Sequence, residues 1–210
     1  MKPKTVINDK LEMRAFACEF RSATATDGKI KFTGHAAIFD TPQDMGPFTE
    51  QIAKNAFTRA IKEDDVRALF NHDANHVLGR NVAATLRMSE DDKGLAVEID
   101  APDTQMARDL KISVDRGDIN QMSFAFVPSK EEWAWDTEPV KRTIVEVRLY
   151  DVSIVTYAAY PQTDVSARTF DTAKKEKELI EAEKKAKDTE TNKNHLELLK
   201  RQAEIKAKEI

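Results

Sequence analysis

Glycine and proline stop early in this chain. The last glycine is Gly117, the last proline is Pro161, and no aromatic residue follows Phe170. What comes after is Lys, Glu, Ala, Leu and Ile with polar fillers. Such a segment cannot close a core of its own, but it suits a solvated helix. The shift predicts a boundary near residues 162–172, with a compact domain before it and a charged helix after it. In finer terms it predicts an N-terminal extension over 1–13, a domain over 14–168 and a tail over 169–210.

The compact part reads as strands and turns. Arg14 to Arg21 and Lys29 to Phe39 have strand character on either side of an Asp27-Gly28 turn. Thr49 is placed to cap a short helix carrying Ile52, Ala53, Ala56, Phe57 and Ala60 at helical spacing. Val66 to Asn71 reads as a strand, and His72 to Gly79 as a loop rich in Asn and Asp. Asn81 to Met88 and Leu95 to Ile99 form a hairpin, and Thr104 to Arg116 is a second helix that ends at Gly117. Next come Gly117 to Val127, a loop with Trp133 and Trp135, and a long strand from Thr143 to Thr156. The fold class expected is α+β, an antiparallel sheet or small barrel of about seven strands with flanking helices.

Composition narrows the function. The 210 residues carry a net charge of −4, too little for a general attraction to nucleic acid or anionic membrane. Cys18 is the single cysteine, so neither an internal disulfide nor a multi-cysteine zinc site can form. No apolar run approaches membrane-spanning length, and Met1-Lys2-Pro3-Lys4 leads into no signal-peptide core. The expectation is a soluble cytoplasmic protein.

The chain is organised around Gly117 to Val127, where a serine is ordinarily a solvent-facing strand residue and chemistry needs support from elsewhere in the chain. Met122, Phe124 and Phe126 alternate with Gln121, Ser123 and Ala125, the period of a half-buried strand. Ser123 therefore faces away from the core. A nucleophilic serine needs a histidine to accept its proton and an anion to orient that histidine. His72 and His76 stand upstream, four residues apart. A zinc reading of that pair is weak, because Asp73 stands where a metalloprotease helix carries Glu and the surroundings signal a loop. His35, within a strand, and His195, in the tail, read as structural or surface residues. The anion can come from Thr143 to Ser153. Val145, Val147 and Leu149 make an apolar face there, so Glu146 projects to the opposite one. Asp151 shares the parity of Leu149 and points inward unless a bulge intervenes. From the residues alone, a solvated strand pairing Glu146 with Arg148 is the simpler account.

Six segments together, in this order, resemble the prohead proteases of tailed bacteriophages of the HK97 type. They are Gly34-His35-Ala36-Ala37-Ile38-Phe39; Glu50 through Asn55-Ala56-Phe57; Asn71-His72-Asp73 with Leu78-Gly79-Arg80; Asp92-Lys93-Gly94-Leu95; Arg116-Gly117-Asp118-Ile119 with Met122-Ser123-Phe124-Ala125-Phe126; and Leu149 to Thr156 with Ala159-Tyr160-Pro161. That family is one of serine peptidases with a fold similar to herpesvirus assemblin. The resemblance implies His72 as general base and Ser123 as nucleophile. It also sets Glu146 opposite the assemblin family's second histidine, in agreement with the parity argument, with Asp151 as the other candidate. His76 falls where the family has no fixed residue.

This resemblance further implies a serine endopeptidase without metal or organic cofactor. Its partners would be the major capsid protein and scaffold as substrates, and the protease itself. Its place would be the procapsid interior in the host bacterial cytoplasm. Neither membrane nor direct nucleic-acid binding is expected. The tail holds 11 Lys/Arg and 10 Asp/Glu between Asp171 and Ile210. Leu196, Leu199, Ala203 and Ile210 on it fit one short heptad seam, which suggests self-association or docking on a scaffold helix. A catalytically silent scaffolding protein with the same fold is the alternative. Ala125 stands where the family usually has Gly, and no arginine after Val155 matches those of the assemblin oxyanion site, so the oxyanion donors have no assignment.

Overall fold

The computed structural model describes residues 11–17, 20–24, 28–157 and 163–208, with side chains inside the long terminal helix described for 166–189. The expectations for Cys18, Asp27, Ala159-Tyr160-Pro161 and Ile210, and for the side chains of His195, Leu196, Leu199 and Ala203, lie outside these residues.

The chain divides into two units, Met1–Thr163 and Asp164–Ile210. The first is α+β, with eleven strands among the described residues. They are β1 (Glu12–Ala17), β2 (Arg21–Thr24), β3 (Ile30–Ile38), β4 (Gln43–Asp44), β5 (Thr49–Ile52), β6 (Arg67–Phe70), β7 (Asp73–Arg80), β8 (Leu86–Glu90), β9 (Gly94–Ala101), β10 (Gln121–Ala134) and β11 (Lys141–Val155). Two helices lie among them, α1 (Thr58–Glu63) and α2 (Gln105–Asp115). The second unit is one helix, α3 (Thr163–Lys208).

A seven-stranded sheet runs β1-β10-β11-β5-β4, with β6 and β7 joined to it through β11, and a four-stranded sheet runs β2-β3-β9-β8. The expected antiparallel arrangement of about seven strands is corrected in two ways. There are more strands, several only two to four residues long and too short for a periodicity argument. The larger sheet is also mixed, because β11 pairs parallel with both β5 and β6. Between those two partners, the segment around α1 closes β11's open edge. Ala53 N–H donates to Ile144 O, Val147 N–H to Ala56 O, and Leu149 N–H to the Asp64 carboxylate.

Several local expectations changed for the same reason, tertiary pairing overriding local pattern. The helix expected from Thr49 starts only at Thr58, since Thr49–Ile52 is drawn into the sheet beside β11. The Trp133 loop is instead the end of β10, and β10 with β11 makes one long hairpin. Asn81–Ala83 is a 3₁₀ turn and the strand begins at Leu86. The second helix behaves as expected. Thr104 Oγ1 accepts from Ala107 N–H at its start, and Gly117 with φ of +81° ends it, a backbone state that suits a residue without a Cβ.

The core-facing set Met122, Phe124 and Phe126 is fully buried. Phe124 meets Phe126 and Phe57 at ring-centroid distances of 4.8 and 5.3 Å. Phe32, Leu95 and Ile99 of the small sheet join Val152 and Ile154 of the large one in the same buried cluster. The opposite face of β10 carries Ser123, and it too is covered.

Candidate active site

Ser123 sits mid-strand in β10, opposite Ala15 of β1 and Ser153 of β11. The residue has 0% of its surface exposed. His72 reaches it from the turn between β6 and β7, where Phe70 pairs with Asp73 and only Asn71 and His72 lie between. Both have positive φ, +53° and +57°. A two-residue hairpin turn whose twist matches its strands requires this at both positions. The loop expected over His72–Gly79 is therefore this tight turn followed by β7. Asn71 suits such a turn and also anchors it: its N–H donates to Ile154 O, its Nδ2 to Thr156 Oγ1, and its Oδ1 accepts from Thr156 N–H. A histidine in the left-handed region is uncommon, and strain of that kind gathers at functional sites.

The imidazole bridges two partners. His72 Nε2 lies 2.8 Å from Ser123 Oγ, and His72 Nδ1 lies 2.7 Å from Asp151 Oδ1. With its proton on Nδ1 and donated to Asp151, the neutral ring leaves Nε2 as an acceptor for the Ser123 O–H. Ser153 Oγ donates to the same Asp151 oxygen at 2.6 Å, which fixes that carboxylate from below. A second acceptor for the Ser123 hydroxyl, the Arg14 carbonyl of β1, lies 2.9 Å away.

The expected orienting acid is corrected here. Glu146 does not meet His72. Its Oε1 accepts from Arg59 Nε of α1 at 3.0 Å, with the side chain 41% exposed. Arg148, offered as its partner, instead lies over the Tyr150 ring. The parity argument fails at a β-bulge. Ala125 pairs with Asp151 but Phe126 pairs with Leu149, so Tyr150 is an extra residue in β11. One extra residue exchanges the faces of a strand. Val147 and Leu149 point to the core on one side of the bulge, as Val152 and Ile154 do on the other. Asp151 and Ser153 are thereby delivered to the Ser123 face. The two other described histidine side chains are occupied elsewhere. His76 lies 3.4 Å from Asp73, and His35 meets Asp91 at 2.8 Å. The His35 hydrogen bond, with the Gly94 and Lys93 N–H groups, holds the Asp91 carboxyl down to about 2.

A second cluster was not foreseen. Arg142 is 0% exposed, and Glu12 and Glu50 beside it are buried. Arg142 donates to Glu12, Glu50 and Glu131, while Arg14 grips Glu50 through Nε at 2.5 Å and Nη2 at 2.9 Å. Burial alone would raise the Glu12 carboxyl, but hydrogen bonds and charge from Arg142, then Arg14, hold it below the ordinary range. Parity counted from Val145, Val147 and Leu149 puts Arg142 outward; register shifts beside Glu146 turn it inward with Ile144, where a buried arginine demands buried acids. The cluster ties β1 to β5, β10 and β11, so it also keeps the Arg14 carbonyl beside Ser123.

A family model described as caudovirus prohead serine protease matches residues 16–178. Among solved structures, the bacteriophage T4 capsid assembly protease, gp21, is similar at 11% identity, over 70% of this chain and 96% of that one, with a TM-score of 0.50. At that identity the likeness concerns fold alone. No curated protein matches the chain.

Proposed function

The chain belongs to the caudovirus prohead serine protease family, and on that premise we propose that it is a serine endopeptidase that cleaves scaffold or scaffold-like capsid segments, and itself, during procapsid maturation. The observation carrying this reading is the hydrogen-bonded line Ser123–His72–Asp151. Ser123 Oγ attacks the scissile carbonyl while His72 Nε2 takes its proton and returns it to the leaving amine. Asp151 holds the Nδ1 tautomer and stabilises the imidazolium. Ser123 is enclosed, so peptide entry is coupled to local movement of the Asn71–His72 turn or of the β1 edge. We read the fold as assemblin-like, and the working place as the procapsid interior. No helix among the described residues is long and apolar enough to cross a membrane. Mass spectrometry of the protease co-expressed with its capsid protein, against a Ser123→Ala form, tests the function and locates the cut sites. An unprocessed capsid protein in both samples would refute it.

The third position is open to direct test. Asp151→Asn should lower kcat by roughly 10⁴-fold, because an amide no longer enforces the working tautomer. Glu146→Gln removes one half-exposed ion pair and should leave kcat within about twofold and stability within about 0.5 kcal/mol. Rate measurements on both variants, with circular dichroism to verify folding, decide between them. A crippled Glu146→Gln beside an active Asp151→Asn would restore the parity assignment.

The tail is read as a targeting helix. Residues 178–189 are exposed and include Leu179 and Ile180. The family match also runs to residue 178, beyond the expected boundary at 168. We place the dispensable part after Glu178. Truncation there should leave peptide cleavage intact but reduce incorporation into procapsids, as read by immunoblot of purified particles. Normal packaging would remove the targeting role.

A further inference from the structure

Gln121 stands two residues before Ser123 in β10, and no register shift separates them. Both side chains therefore project to the same face. Its Oε1 is the one buried side-chain polar atom without a hydrogen-bond partner among the described residues. Buried acceptors are nearly always paired, and an unpaired one is destabilising enough to ask for a reason. The place is telling. Gln121 lies opposite Val155 in β11, between Ile154 and Thr156, the two residues that anchor the turn presenting His72. An idle acceptor thus lies on the strand face of the nucleophile, two residues from it.

We propose that Gln121 binds substrate: its Oε1 accepts a backbone N–H of the extended peptide being cut, next to the scissile bond. This rests on the reading of Ser123 as nucleophile. An extended peptide presents an N–H at alternate positions along one edge, and that is the donor an incoming polypeptide always brings, whatever its side chains. The contact positions the peptide along β10 without selecting its sequence. The free enzyme tolerates an unmet group that the complex satisfies.

Three variants test this with two reactions. Ser123→Ala should remove both capsid-protein cleavage and labelling by an alkyl fluorophosphonate, which reports nucleophile and base without offering any peptide N–H. Failure of that control refutes the protease reading itself. Gln121→Met loses the acceptor and should slow capsid-protein cleavage about tenfold while leaving fluorophosphonate labelling unchanged. It should also raise Tm by about 2–4 °C, since an unpaired buried polar atom is replaced by an apolar one. Gln121→Glu retains an acceptor and should cleave far better than Gln121→Met. The proposal is overturned if Gln121→Met leaves cleavage unchanged, or if labelling falls in parallel with cleavage. It is equally overturned if Gln121→Glu is as slow as Gln121→Met, the mark of a donor.

Discussion

Ser123→Ala should eliminate capsid-protein cleavage, a loss of roughly 10⁴-fold or more, while the protein folds with an unchanged melting temperature to within a few degrees. The serine fills a small enclosed site on β10 between Ala15 and Ser153, and alanine fits that space. What is lost is a hydroxyl that touches His72 Nε2 at 2.8 Å. His72→Ala should fall nearly as far, because without a base the hydroxyl is a poor nucleophile. The double variant should be hardly slower than either single one, since nucleophile and base act as a unit. Independent, multiplying losses would mean that the two residues do not work together. Initial rates of capsid-protein cleavage for the three variants give the comparison.

The second large effect concerns stability. Arg142→Ala should cost about 3–5 kcal/mol, because it leaves the buried Glu12 and Glu50 to share Arg14 and takes a cationic partner from Glu131. For a chain of this size that lowers Tm by roughly 10 °C. The acid dependence follows from Glu12. Its folded pKa is depressed, so its contribution is present above the ordinary glutamate value and is lost as pH falls through the depressed one. Wild-type Tm should therefore drop on acidification below the ordinary carboxylate range, and the Arg142→Ala protein should lose less over the same interval. Melts of both proteins from pH 7 down to 3 are the measurement. A fall of less than about 2 °C at neutral pH would show that the cluster contributes little.

Much of this was legible in the residues, and the failures share a cause. Alternation around Ser123 gave the strand, its buried face and the side on which the serine lies. Thr104 and Gly117 bracketed their helix as capping chemistry requires. The roles of His72 and Ser123 follow from the family resemblance of their motifs. A parity count favours Glu146 over Asp151 because it assumes an unbroken pleat, and the extra residue Tyr150 breaks it. Nothing in Leu149-Tyr150-Asp151 announces that break; it becomes visible only through the register of β10. The short strands β4 and β5 escape for a related reason, since each exists by virtue of its neighbours. The Arg142 cluster is hidden in the residues, since the parity of Val145 puts Arg142 outward and its members, spread from residue 12 to residue 142, meet only on folding.

The bulge at Tyr150 also sets which evolutionary routes are open to this site. A strand face is a two-valued quantity, so no partial adjustment exists between Asp151 outward and Asp151 inward. Deleting one residue between Leu149 and Asp151 would turn over everything beyond it, sending Asp151 and Ser153 into the hydrocarbon interior and Val152 and Ile154 toward His72. A compensating insertion would have to arise within a few positions on the same strand. A point substitution at position 151 can change the side chain, with the loss of turnover given for Asp151→Asn, without disturbing the pleat. The number of residues between position 151 and the core-facing Leu149 is frozen.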